Sequence, residues 1–353
     1  MLSKVKTYLP LGGRTFKTGI SVFITTLICQ YFHFPAIFAV MTAIVTVEHT
    51  AADSIKKAMV RFPASAIGAF LSVSFYSVFG KSAITYALAA MLTIALCHKL
   101  KLDEGIVVAT LTAIAMIPDF HGNSFDSFIV RLATTTIGIV VSTLVNFFLL
   151  PPNYTKYIDS NMENLFERSA KLCTYVNDYL IEAKFNQQQK FKLLYREILR
   201  EINQTSNFIQ FQREEWKYHK FSKENLRRLH YCEKKLTYLK QVIDHMGNLQ
   251  FIRLKRNAFS EAEKQLIRSI FLSFAGILKT PHHEIPIEHY QWIEKLDDEF
   301  WHWKEEHVMN KEQHLPPQTI VLYELLFLHR VIEELHHITH IELSNEDTIT
   351  KQL

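Results

Sequence analysis

Apolar residues occur in two regimes along the chain. Up to Leu150 they form near-continuous blocks separated by short polar turns, and from Asn153 onward they recur at helical spacing among many Lys, Arg, Glu, Asp, His and Gln residues. Six blocks make up the first regime: about Thr18 to Phe32, Phe34 to Val47, Phe62 to Phe79, Ala83 to Leu100, Gly105 to Ile117 and Phe128 to Leu150. They predict an all-α polytopic membrane protein, with six transmembrane helices over residues 1–152 and a cytoplasmic helical bundle over 153–353, divided at Pro151-Pro152. The second and fifth blocks hold only fourteen and thirteen residues. As helices they reach about 20 Å, short of a hydrocarbon core about 30 Å thick.

In the second regime, Leu165, Ser169, Leu172, Val176 and Tyr179 follow one helix face, and Ser260 with Glu263 forms a capping box ahead of Leu266 to Leu278. That run is too short and too polar, with Arg268 inside it, to be a seventh span. Pro281, Pro286 and Pro316-Pro317 separate the later helices, and the last carries an apolar stripe at Val321, Leu325, Leu328, Ile332 and Leu335.

The first regime contains a duplication. Phe34 to Ser74 align without a gap onto Glu104 to Leu144, seventy positions later, with ten identities that include Thr42, Val60, Arg61, Gly68 and Ser72. The repeats cover about 15–80 and 85–150. With three crossings each, the second enters the membrane from the opposite side, so the halves are expected as inverted repeats. A cytoplasmic N-terminus places nine basic residues on the inner side (Lys4, Lys6, Arg14, Lys17, Lys56, Lys57, Arg61, Lys99, Lys101) and two, Lys81 and Arg131, outside. This satisfies the positive-inside rule, with both termini in the cytoplasm. Lys4 and Lys6 before an apolar run imitate a signal peptide, but the run ends in Cys29-Gln30-Tyr31-Phe32-His33, without a small-residue cleavage site, and is read as a retained first span.

The matched short helices are the best sequence pointer to a central site. Thr42 and Thr112 are equivalent positions within them, where a hydroxyl can bond a carbonyl, pack against a helix or face a wet passage. Arg61 and Arg131 are permanent charges in membrane helices. They either snorkel or pair with an acid, or they line an anion pathway as positive groups at its two mouths. Glu48 and Asp119 end the short helices and are candidates for proton coupling, whereas Asp103 and Glu104 sit where helix-capping acids belong. Gly68 and Gly138 are expected to allow close helix contact.

Other chemistry is thinly represented. The four cysteines, Cys29, Cys97, Cys173 and Cys232, have no disulfide or metal spacing. His329, Glu333, His336 and His340 share one helix face, which is either the polar flank of a bundle or part of a metal site needing ligands from other helices. Arg227-Arg228 and the Arg253, Lys255, Arg256 cluster read as solvated faces that can touch anionic headgroups, and no nucleic-acid module accompanies them. No phosphate-binding glycine loop, nucleophile elbow or HExxH motif is present, so neither an enzyme nor a cofactor is expected.

The Arg14-Thr15-Phe16-Lys17-Thr18-Gly19 lead-in, the repeated Arg-x6-Gly and the helical tail after Leu150-Pro151-Pro152 together resemble the aromatic acid exporters of Gram-positive bacteria, including their C-terminal domain, within the wider fusaric-acid-resistance group. The resemblance covers nearly the whole chain, and plant malate channels look like distant relatives. It implies a cell-membrane exporter of aromatic or other organic anions, with proton coupling through Glu48 or Asp119 as its extension and a homodimer as the assembly. A passive anion channel and a membrane scaffold or sensor with a partner-binding tail are the other readings.

Overall fold

The computed structural model describes residues 13–117, 124–149, 153–182, 185–218, 221–252, 254, 258–309 and 315–350. Among them are twelve α-helices and no strand. The chain divides into two compact units: Met1–Asn153 together with Phe211–Lys220, and Tyr154–Gln210 together with Phe221–Leu353.

The first unit contains α1 (Gly13–Tyr31), α2 (Ala36–Thr46), α3 (Ala51–Phe79), α4 (Ala83–Lys99), α5 (Ile106–Met116) and α6 (Ser124–Phe148). A 3-10 turn, Asp103–Gly105, leads into α5. Among the described residues, two helices are long and apolar enough to cross a membrane by length and composition, Ala51–Phe79 and Phe125–Phe148, the third of each duplicated half. Helix α3 begins eleven residues before its apolar block because Thr50 caps it, its hydroxyl accepting from the Asp53 N–H at 3.1 Å, so the polar stretch through Lys56 and Lys57 is already helical.

The packing exchanges the third helices between halves. Helix α3 lies on α4 and α5, α6 lies on α1 and α2, and α3 and α6 meet each other. Glycine makes these crossings close. A Cβ on Gly68 would sit 2.2 Å from the Ala109 carbonyl oxygen, and one on Gly138 would sit 2.4 Å from that of Ala39, its seventy-residue counterpart. Without a hydrophobic drive between helices in lipid, such backbone approach supplies the packing energy.

The likeness of the halves extends to their first helices. Lys17, Ser21, Thr25 and Cys29 form the buried face of α1, and Thr85, Ala89, Thr93 and Cys97 that of α4. Both helices close with the same cap: Cys29 O accepts from Phe34 N and Cys97 O from Leu102 N, each at 2.9 Å. His33 (φ 56°) and Lys101 (φ 58°) take the left-handed position.

The two units have opposite polarity. The first buries Ser21, Thr42, Ser65, Ser72, Thr112 and Ser142 while exposing Phe23, Met59, Phe70, Met91, Val107 and Leu144. That distribution suits helices surrounded by lipid, where small hydroxyl-bearing residues mediate helix contact. The second buries Leu165, Leu172, Ile198, Leu239, Ile270 and Leu325, as a water-soluble bundle does.

This second unit contains α7 (Thr155–Leu180), most of α8 (Phe185–Glu215), α9 (Lys223–Asn248), α10 (Glu261–Lys279), α11 (Ile287–Met309) and α12 (Pro317–Thr350). Helix α7 packs on α9 and α10, α9 on α12, and α11 on α10 and α12. The expected capping box opens α10, with Ser260 and Glu263 each bonding the other's backbone N–H. The α12 stripe from Val321 to Leu335 is fully buried.

Candidate functional site

The junction between α2 and α3 concentrates buried charge. Glu48 follows α2, and Arg61 comes inward from the third turn of α3, so the spacing that separates them in sequence brings them together in space. Arg61 Nη2 donates to Glu48 Oε1 at 2.7 Å, Nη1 to Val45 O at 3.0 Å and Nε to Glu104 O at 3.3 Å. Both side chains are under 10% exposed. A buried ion pair survives desolvation when its remaining donors are also satisfied, and here two carbonyls at helix ends do so. Lys57 Nζ adds contacts to Glu48 at 3.4 Å, Asp53 at 3.0 Å and Glu104 at 3.6 Å. Of the other helix-end acids, Asp103 bonds His98 at 2.7 Å, and Asp119 lies outside the described residues.

Arg131 occupies a different setting. It is buried on α6, donates to Thr112 Oγ1 at 2.6 Å and lays its guanidinium 4.0 Å from the centroid of the Phe38 ring. Thr112 Oγ1 is also 3.0 Å from Ser65 Oγ, which in turn meets Thr135 Oγ1 at 3.5 Å. Ser65 and Thr135 are seventy residues apart and therefore equivalent, so this hydroxyl cluster stands where the two halves cross. Thr42, the counterpart of Thr112, spends its hydroxyl on the Phe38 carbonyl at 2.9 Å. Among the described contacts, Arg61 meets an acid and two carbonyls, and Arg131 meets a threonine and a ring.

A second buried network escaped the sequence reading. Lys17, counted there only as a positive charge, is buried and donates to Asn146 Oδ1 at 2.9 Å. Asn146 Nδ2 donates to Ser54 Oγ at 2.7 Å and to Thr50 O at 3.0 Å. Glu215, at the end of α8, accepts from the Ala51 N–H at 2.9 Å. No periodicity marks Glu215, because its partner is a backbone N–H 164 residues away.

In the second unit the histidine face of α12 divides. His329 Nδ1 meets His289 Nε2 at 3.2 Å and His329 Nε2 meets Glu333 at 3.4 Å, whereas His336 meets the His283 carbonyl at 3.1 Å. Among the described residues, no group of three or more His, Cys, Asp or Glu side chains could hold a metal ion. Burial lowers the His283 and His289 pKa values to about 4, and lowers that of His329.

Helices that turn hydroxyls and paired charges inward and bulky apolar groups outward, with guanidinium groups buried at their crossings, have the construction expected of a membrane protein. Known proteins make the class specific. The profile of aromatic acid exporter family member 1 matches residues 9–149. A UPF0421 protein of Bacillus cereus is 42% identical over 341 residues, covering 96% of each chain. Similar proteins of the same designation occur in Halalkalibacterium halodurans (38% identity, 93% of this chain and 90% of the relative) and Staphylococcus haemolyticus (36%, 78% and 84%). The chain belongs to the UPF0421 family, and its residues 9–149 carry the aromatic acid exporter profile, that of a family of membrane transporters.

Proposed function

We propose that the protein exports aromatic and other organic carboxylates across the bacterial cell membrane. In this reading α1 to α6 are six crossings arranged as two inverted three-helix repeats, with both termini in the cytoplasm. The exchange of α3 and α6 between halves supports that arrangement. So does the shortness of α2 and α5 at the centre, eleven residues each. A homodimer would shield the polar ends of those short helices from lipid.

The observation that carries the reading is Arg131, buried against Thr112 and Phe38 where the repeats cross. A guanidinium offers a carboxylate two parallel N–H donors, and the adjoining ring and hydroxyl give an aromatic acid an apolar and a polar neighbour. Glu48 supplies the coupling. While ionised it holds Arg61, and its protonation releases the guanidinium, so proton uptake and rearrangement of the α2–α3 junction are one event. Asp119, which follows the short helix of the second half in sequence, is the other acid we assign to coupling.

Proteoliposomes loaded with benzoate test the proposal. Efflux should exceed that of empty liposomes and should accelerate under an imposed pH gradient. Efflux equal to that of empty liposomes would refute export, and efflux indifferent to the gradient would refute coupling through Glu48.

A further inference from the structure

Segment 211–218, the last turn of α8 and the residues after it, lies within the first unit although the sequence places it deep in the polar half. It brings two groups to the α2–α3 junction. The Phe211 ring stacks on His49, with centroids 5.1 Å apart and planes 9° from parallel. One turn later the carboxylate of Glu215, 1% exposed, accepts the Ala51 N–H at the start of α3 and attracts the buried ammonium of Lys17. The receiving surface therefore meets an aromatic face with an imidazole, and a carboxylate with a helix N-terminus and a lysine.

We infer that this junction is a binding site for an aromatic carboxylate, and that Phe211 and Glu215 occupy it as an internal stand-in for the ligand. The inference deepens the export reading and rests on it for the side from which the ligand arrives. Three features favour a ligand site over a structural clasp. Both chemical halves of an aromatic acid are received at once, and they are received by different elements, His49 of the connection and Lys17 of α1. The carboxylate comes from a chain segment more than 150 residues away, while Thr50 already caps α3. The site also adjoins Glu48, whose backbone carbonyl shares Asn146 with Thr50, so its occupancy bears directly on the Arg61 pair. A tethered occupant competes at an effective concentration in the millimolar range, so the intact chain binds free ligand weakly and removal of the tethered groups unmasks the site.

The test is equilibrium dialysis of the full-length protein in detergent with labelled benzoate, beside cyclohexanecarboxylate, which lacks the aromatic face, and benzyl alcohol, which lacks the charge. Glu215→Ala should raise benzoate affinity by about tenfold, and Phe211→Ala by a smaller factor. The gain should be less for cyclohexanecarboxylate, absent for benzyl alcohol, and abolished by adding Lys17→Met. Melting curves of each variant establish that it is folded, and benzoate should raise the melting temperature of Glu215→Ala more than that of the parent. If neither folded variant binds benzoate more tightly than the parent, or if benzyl alcohol gains equally, the site does not exist. Binding is read without transport, so unmasked binding with no benzoate flux would overturn export alone, and flux without unmasked binding would overturn this site alone.

Discussion

Replacing Gly68 by Ala should separate α3 from α5. The new methyl would stand 2.2 Å from the Ala109 carbonyl oxygen, where ordinary contact begins at 3.4 Å. The obstacle is backbone and cannot rotate away, so the helices must part by roughly 1 Å, at a cost near the upper end of the range of about 1–3 kcal/mol for overpacking. Gly138→Ala meets Ala39 O at 2.4 Å and Thr42 Cβ at 2.9 Å, and should cost a similar amount. The two crossings share the α3–α6 contact, so the double variant should fall short of the sum. Gly19→Ala is the control, with nothing within 4 Å of its added methyl in the same unit. Thermal unfolding of detergent-solubilised protein should show Gly68→Ala and Gly138→Ala lowered by roughly 6–10 °C and Gly19→Ala unchanged or raised. Equal melting of Gly68→Ala and Gly19→Ala would refute the close crossing of the halves.

Glu48→Ala or Arg61→Ala alone should destabilise by about 3–5 kcal/mol, because each strands a buried charge. The double variant should lose less than either single one, read from a double-mutant cycle of chemical denaturation. His283 and His289 are neutral when folded, with pKa values lowered from 6.5 to about 4, so the stability they confer is present above pH 6.5 and is lost as pH falls toward 4. The second unit should lose about 2 kcal/mol apiece between pH 8 and pH 5, and His289→Leu should flatten part of that fall in melting curves recorded across the range. Burial raises the Cys173 thiol to about 12 and the Cys232 thiol to about 11, so maleimide at pH 7.5 should leave both unlabelled until the protein is denatured, as mass spectrometry would read.

Much of this organisation was legible in the chain because it rests on periodicity. The capping box at Ser260, the buried stripe of α12 and the paired Gly68 and Gly138 are each local or repeated patterns, and each has the expected structural counterpart. The likeness of α1 and α4 was hidden by a change of offset. Cys29 and Cys97 are sixty-eight apart rather than seventy, since two more residues precede α5 than α2, and a gapless alignment ends there. At the candidate site, the residues could be named but their pairing could not. Nothing in the sequence distinguishes an arginine that meets Glu48 from one that meets Thr112, because the choice depends on which helices cross. Lys17, Asn146 and Glu215 were missed for the same reason: a buried lysine among surface-type charges, an asparagine near a helix end and a glutamate in a tail dense in charges of both signs become a network only in three dimensions.

The central claim is that carboxylates pass Arg131, and benzoate efflux from proteoliposomes containing Arg131→Gln measures it most directly. Loss of a charge-assisted contact worth about 1.5–3 kcal/mol predicts a rate about 10- to 100-fold below that of the parent, with the melting temperature retained. Unchanged efflux in the folded variant would contradict the account.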